Sequence, residues 1–164
     1  MTKTKIFTAL ATLALTAVGF SSGVQDLKGK AVPAFKLKRV GGGTFNSQDL
    51  KGKVVILDFW ATWCGPCKAA SPTMDKLYKT YGKKGLVVIG ANVSDTDAAV
   101  ATYAKDHSYP FAAATGYAAK LGVEALPVFL FIDRKGVVQR VDTGFSGSSP
   151  ASWEGTVKKL VAKK

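Results

Sequence analysis

Val54-Val55-Ile56-Leu57-Asp58-Phe59-Trp60-Ala61-Thr62-Trp63-Cys64-Gly65-Pro66-Cys67 is the stretch on which the fold turns. Its first seven residues are apolar except for Asp58 and begin with β-branched side chains, as in a buried central strand. From about Pro66 the pattern becomes helical and runs to about Tyr81. Pro66 is tolerated in the first turn, while Pro72 is expected to kink the helix. A strand feeding a helix puts Cys64 at the helix N-terminus, where unpaired N–H groups and the helix dipole favour an anion. A thiolate is such an anion, and it is the nucleophile of thiol–disulfide exchange. Cys67 lies one turn deeper, near enough to close a disulfide with Cys64. Gly65 removes bulk beside the attacked sulfur, and Pro66 stiffens the turn. The spacing suits a reversible dithiol switch, because an inert disulfide over two intervening residues would constrain little of the unfolded chain.

Outward from this stretch the chain shows no repeat and no low-complexity segment. Ala34 to Val40 alternates apolar and basic residues like an exposed strand, Gly41-Gly42-Gly43 is a turn, and Thr44-Phe45 begins the returning strand of a hairpin. Leu86 to Val93 reads as a second buried strand. Ser94-Asp95-Thr96-Asp97 resembles a capping box and predicts a helix to about His107. A short helix is expected around Tyr117 to Leu121. Val128 to Asp133 and Val137 to Asp142 form a hairpin about Arg134-Lys135-Gly136. Pro150 to Ala162 predicts an amphipathic helix with Trp153, Val157, Leu160 and Val161 on one face. The sum is an α/β fold with a mixed sheet flanked by helices.

The 164 residues suffice for one domain, and 47% hydrophobic with 21% charged residues excludes a disordered or collagen-like chain. The two cysteines cannot furnish the four ligands of a structural zinc site. Lys3 and Lys5 precede an uncharged run from Ile6 to Phe20, shorter than the roughly 20 residues of a spanning helix. Residues 1–23 are therefore expected to be a signal peptide or an N-terminal membrane anchor, and 24–164 the domain. Cleavage near Ala17-Val18-Gly19 or within Ser21-Ser22-Gly23 fits equally, and no cysteine follows the run to carry a lipid. Either form implies export, to a periplasm or the outer face of the cytoplasmic membrane. The formal charge is +12; without Lys3 and Lys5, 21 basic residues stand against 11 acids, leaving +10. The lysines are scattered and lack the aromatic interleaving of a nucleic-acid groove, so no nucleic-acid partner is expected. A solvated basic surface and attraction to anionic lipid or an acidic partner both remain open.

Asp58 to Lys68 resembles the active-site segment of thioredoxins, whose Cys-x-x-Cys motif is a standing example of this chemistry. Gly29-Lys30 through Ala34-Phe35, the triple glycine, Leu50-Lys51-Gly52-Lys53, Lys120 to Pro127 and Phe131 to Gly136 narrow the likeness. Together they resemble the TlpA/ResA-like branch of the redoxin/thioredoxin superfamily, over about residues 29 to 162. The resemblance implies a thioredoxin fold with an N-terminal β-hairpin extension and an extra central helix/strand insert. It implies an exported thiol–disulfide oxidoreductase with no cofactor beyond a redox-active Cys64–Cys67 disulfide and no metal. It further implies Cys64 as attacking thiol, Cys67 as resolving thiol, and Pro127 as a cis-proline facing them. Substrate-binding residues are then Trp63, Gly65, Pro66, Leu126 and Pro127, with Leu126 offering backbone groups to an extended substrate and Gly144 walling the groove. Partners are protein thiols and disulfides, with a membrane-embedded electron donor and apocytochrome c as client; the protein is expected to be a monomer.

Asp58 matches the buried acid of thioredoxins, where burial raises its pKa and lets it take the Cys67 proton through water. Leu86 to Ala91 lacks the lysine that partners this acid in thioredoxins. Ala70 stands where many TlpA/ResA-like proteins carry a glutamate, leaving Asp58 as the one acid expected near the dithiol. His107, the sole histidine, is expected to be solvated and without a catalytic role. Leu57 to Cys64 lacks the Pro-x-x-x-Thr-x-x-Cys of peroxidatic enzymes. The competing readings are an exported disulfide oxidant or isomerase, and a Cu(I)-binding metallochaperone.

Overall fold

The computed structural model describes residues 23–163, so the expected leader or anchor lies outside the described residues. Seven strands and four α-helices follow one another as β1 (Lys36–Arg39), β2 (Thr44–Asn46), β3 (Val54–Trp60), α1 (Gly65–Tyr81), β4 (Leu86–Asn92), α2 (Asp97–Ala104), β5 (Phe111–Ala113), α3 (Thr115–Lys120), β6 (Val128–Ile132), β7 (Val138–Thr143) and α4 (Ser149–Ala162). They make one mixed sheet in the order β2-β1-β5-β4-β3-β6-β7. β3, β4 and β5 run parallel, as crossovers through α1 and α2 require, while β6 returns antiparallel against β3. This is the thioredoxin-like α/β architecture, with α1, α2 and α4 on one face and α3 with the N-terminal segment on the other.

Every residue of β3 is buried, because both faces of this central strand are covered. Its alternation assigns the faces: Val54, Ile56 and Trp60 join the core under α1 and α4, and Val55, Leu57 and Phe59 the core under α3. Trp153 of α4 anchors the first core, its ring 4.3 Å from Phe129 and its Nε1 donating to Asp142 at 2.6 Å. Fully burying a side chain of this kind contributes roughly 1.5–3 kcal/mol.

The structure adds detail to the expectations from the sequence and changes the bounds of one helix. The hairpin β1–β2 is not merely appended: β1 pairs with β5, the strand of the insert, and so continues the main sheet. β5 had no residues assigned from the sequence because it is only three residues long and Phe111-Ala112-Ala113 shows no alternation. α2 starts at Asp97, capped by the Thr96 hydroxyl accepting from Ala99 N–H, and ends at Ala104, short of His107. Ser94 and Asp95 are drawn away from that helix by bonds described below. Pro72 lies inside a continuous α1, exposed to solvent, where the carbonyl it leaves unpaired can be reached by water.

Arg134, in the β6–β7 turn, ties distant segments together through four carbonyls. Its Nε donates to Lys163 O, its Nη1 to Gly52 O, and its Nη2 to Lys84 O and Val161 O. A guanidinium satisfies such a convergent set with its rigid fork of donors.

Candidate active site

The C-terminal ends of β3, β4, β5 and β7 and the start of β6 meet at one rim of the sheet, as the register requires: Trp60 lies opposite Asn92, Asn92 opposite Ala113, and Val128 opposite Thr143. At this rim β3 leaves through Ala61-Thr62-Trp63 and enters α1. Cys64 is the N-cap of α1, with extended backbone, and Pro66 sits in the first turn, where its missing N–H costs nothing. Cys64 and Cys67 are joined as a disulfide with Cα atoms 5.3 Å apart. Cys67 N–H points to Cys64 Sγ at 3.2 Å. An amide aimed at that sulfur at a helix N-terminus also favours negative charge there once the bond is reduced.

The pair is nearly buried, Cys64 being 5% exposed and Cys67 1%. Gly65 and Pro66 are exposed beside it, and Trp63 is 69% exposed, its indole N–H donating to Ser94 Oγ at 3.1 Å. Trp60, three residues earlier, is core. The Leu126–Pro127 peptide is cis. Pro127 is buried and immediately precedes Val128, the partner of Phe59, so it reaches the same rim as the dithiol. Leu126 is partly buried and packs against both cores. Gly144, with φ 80°, donates its N–H to Pro127 O at 2.8 Å and closes this side. A cavity of about 560 Å³ runs from Gly144 along β7 to the start of α4, lined by Arg140, Ser146, Ser149 and Ser152 among others. The sequence-predicted site residues thus collect at one rim.

Asp58 lies on the α1 side of β3 between Ile56 and Trp60, the face to which Cys64 and Cys67 belong. Its neighbour on β4 is Gly90, and the missing side chain there is replaced by the Phe111 ring, which fills the place a Cβ would take. Asp58 Oδ1 is buried with no partner within the protein. Burial alone pushes the carboxyl up to about 8, so it holds a proton at neutral pH. Below Cys67, Ser71 Oγ donates to the Cys67 carbonyl at 3.1 Å and shares a 2.7 Å hydrogen bond with the Tyr103 hydroxyl.

One expectation fails here, and Asp58 is joined by a second acid that bonds to the segment leading into Cys64. Asp95, in the β4–α2 loop, accepts from Thr62 N–H and Asn92 Nδ2 through Oδ2, and from the Thr62 hydroxyl through Oδ1, each at 2.7 Å. The capping-box likeness of Ser94 to Asp97 hid this role, since only Thr96 caps the helix. His107 is not solvated. Its side chain is 12% exposed, its Nδ1 lies 2.7 Å from Asp75 Oδ2, and its ring packs 4.5 Å from that of Tyr103. Burial opposes ionisation of Asp75, but bonds from Ser108 and His107 outweigh it and hold that carboxyl below the usual range. Among the described residues no three His, Cys, Asp or Glu side chains gather in a way that could hold a metal ion.

A family model described as the AhpC/TSA family matches residues 28–141. Thiol-disulfide oxidoreductase ResA of Bacillus thuringiensis (strain Al Hakam) is 35% identical over 147 residues, covering 87% of this chain and 84% of the relative. The chain belongs to the AhpC/TSA family, among its ResA-like thiol–disulfide oxidoreductases. Thioredoxin-like protein YneN of Bacillus subtilis (strain 168) is 36% identical over 128 residues, covering 74% of each chain. Among solved structures, a thiol:disulfide interchange protein DsbE from Chlorobium tepidum superposes with a TM-score of 0.75 at 28% identity, over 82% of this chain and 97% of that one. The activity of this member is therefore thiol–disulfide exchange, and its Cys64-Gly65-Pro66-Cys67 turn is the pair suited to it.

Proposed function

We propose that the protein works outside the cytoplasm as a reductant of protein disulfides, with Cys64 as attacking thiol and Cys67 as resolving thiol. The observation that carries the reading is the Cys64–Cys67 pair at the mouth of α1, at the same rim as Pro127. The reduced protein attacks a client disulfide with the Cys64 thiolate. One client sulfur leaves and takes up a proton, and a Cys64–client mixed disulfide forms. Cys67 then loses its proton to Asp58 in its ionised form, a minor form at neutral pH because burial raises that carboxyl to about 8. The Cys67 thiolate attacks Cys64 Sγ and expels the second client sulfur, which is protonated in turn. Two electrons have passed to the client, and a dithiol donor must return them. An exposed Trp63, with Gly65 and Pro66, gives the client a surface to rest on, and Leu126 supplies backbone groups for an extended segment.

The client proposed for the protein is apocytochrome c before haem attachment, and the proposed donor a membrane-embedded reductase. Among the described residues no helix is long and apolar enough to cross a membrane, so membrane contact would come from residues 1–22 or from the basic surface. Cys67→Ala tests the reading. Without the resolving thiol the mixed disulfide at Cys64 persists, and its partner can be identified after extraction from the outer face of the cell. A cytochrome precursor is the expected partner. A spread of unrelated secreted proteins would replace it with general repair. A reduction potential at the strongly oxidising end would replace the reductant with an oxidant.

A further inference from the structure

The approach to Cys64 is bonded to the β4–α2 loop. Asn92, buried at the end of β4, accepts from Ser94 N–H at 3.1 Å and Asp95 N–H at 2.8 Å through Oδ1, so the loop curls back on itself. The same amide donates to Asp95 and turns its carboxylate towards Thr62. Val93 N–H donates to Trp60 O at 3.1 Å, and the Trp63 indole donates to Ser94. Trp60, Thr62 and Trp63, three of the four residues before the nucleophile, are thus bonded to this one loop. The fourth, Ala61, accepts from Cys64 N–H at 3.1 Å.

A carboxylate at this place is more than a peg. Burial opposes its charge, but the bonds from Asn92 and Thr62 and the nearby Lys68 outweigh it and hold Asp95 below the usual carboxylate range, so it is ionised at neutral pH. We infer that Asp95 is a positioning residue for the exchange reaction, fixing the Thr62–Trp63 approach and setting by its negative charge how much of Cys64 is thiolate. The inference rests on Cys64 being the attacking thiol, but not on the direction of electron flow. The other charges about the turn are Lys68 on the first turn of α1 and Asp58 on β3, protonated below about pH 8. Exposed Glu124 lies two residues before Leu126, and Asp97 is held away by Lys38 at 2.7 Å. The helix N-terminus and Lys68 favour the thiolate; Asp95 opposes them and leaves Cys64 less acidic than its capping position alone would make it.

The test is the pH dependence of alkylation of the reduced protein, with the modified cysteine identified by peptide mass, beside the equilibrium with glutathione. Asp95→Asn keeps the shape of the side chain and removes its charge. The expected result is a fall in the Cys64 alkylation pKa, giving roughly threefold to tenfold more thiolate below that pKa, with glutathione equilibrium moving towards the dithiol. Thr62→Val keeps the charge and removes one bond, and its alkylation pKa stays within about twofold in thiolate fraction. Should Asp95→Asn fail to fold, Asp95→Ser carries the test, since it too removes the charge while keeping an oxygen that can accept from Thr62. Alkylation at Cys64 with an unmoved pKa in the charge-free variant would overturn the inference, as would a Thr62→Val shift as large as that of Asp95→Asn. Alkylation reaching Cys67 first would overturn the assignment beneath it.

Discussion

Asp58→Asn gives the sharpest thermodynamic prediction, because a single cause acts on Asp58. The carboxyl is fully buried, and burial raises it from an ordinary 3.8 to about 8. Between those values the folded protein keeps a proton that the unfolded chain has released. The unfolded state therefore binds fewer protons, and stability falls as pH rises. Stability from this group is fully present below 3.8, is lost progressively across the window, and is gone above about 8. Each pH unit inside the window is worth about 1.4 kcal/mol, so going from about pH 5 to about pH 7.5 costs about 3 kcal/mol. Asparagine is close in shape and cannot ionise, so its variant lacks this slope. The assay is urea unfolding of the disulfide-bonded protein and of Asp58→Asn at several pH values. Differences between the two cancel the titration of every other group. The variant should be close to wild type near pH 5 and gain about 3 kcal/mol on it by about pH 7.5. Two stability curves running parallel across that range would refute the reasoning. They would mean that the folded protein ionises Asp58 as readily as the unfolded chain does.

Three further substitutions follow from the packing. Gly90→Ala puts a Cβ into the Phe111 ring beside Asp58 and should cost roughly 1–3 kcal/mol in chemical unfolding, with Phe111→Leu recovering part of the loss. Arg134→Met removes the donors to Gly52, Lys84, Val161 and Lys163, most of whose carbonyls water can then reach, and should cost roughly 1–2 kcal/mol while leaving the alkylation of Cys64 unchanged, which urea unfolding and thiol titration together would check. Trp63→Ala removes an exposed ring and should alter stability by less than about 0.5 kcal/mol, yet lower the rate of disulfide exchange with a protein client more than with a small disulfide.

Much of this was legible along the chain because it is local. A near-continuous apolar run followed by a capped helix identifies β3, α1 and the place of Cys64, and Asp58 stands out as the only charge on its strand. Trp153, Val157 and Leu160 declare the buried face of α4 by their spacing. What was not legible depends on neighbours far apart in sequence. β5 is three residues long, and its status comes from pairing with β1 and β4 rather than from any period of its own. Asp95 looked like part of a helix start, and its carboxylate acquires a purpose only once Thr62, thirty-three residues earlier, is beside it. His107 looked solvated for want of a visible partner; Asp75 of α1 and the Tyr103 ring supply the surroundings. Gly90 carried no signal at all until Phe111 was seen over it.

The only two cysteines of the 164 residues are both spent on the reactive turn. Two sulfurs admit a single intramolecular pairing, so within one molecule there is no wrong isomer to form, even where the surroundings oxidise thiols indiscriminately. Nor does any remote cross-link hold the sheet together, so opening the turn removes no staple from the scaffold. The protein can therefore cycle between its two oxidation states without losing a cross-link between distant parts of the sheet.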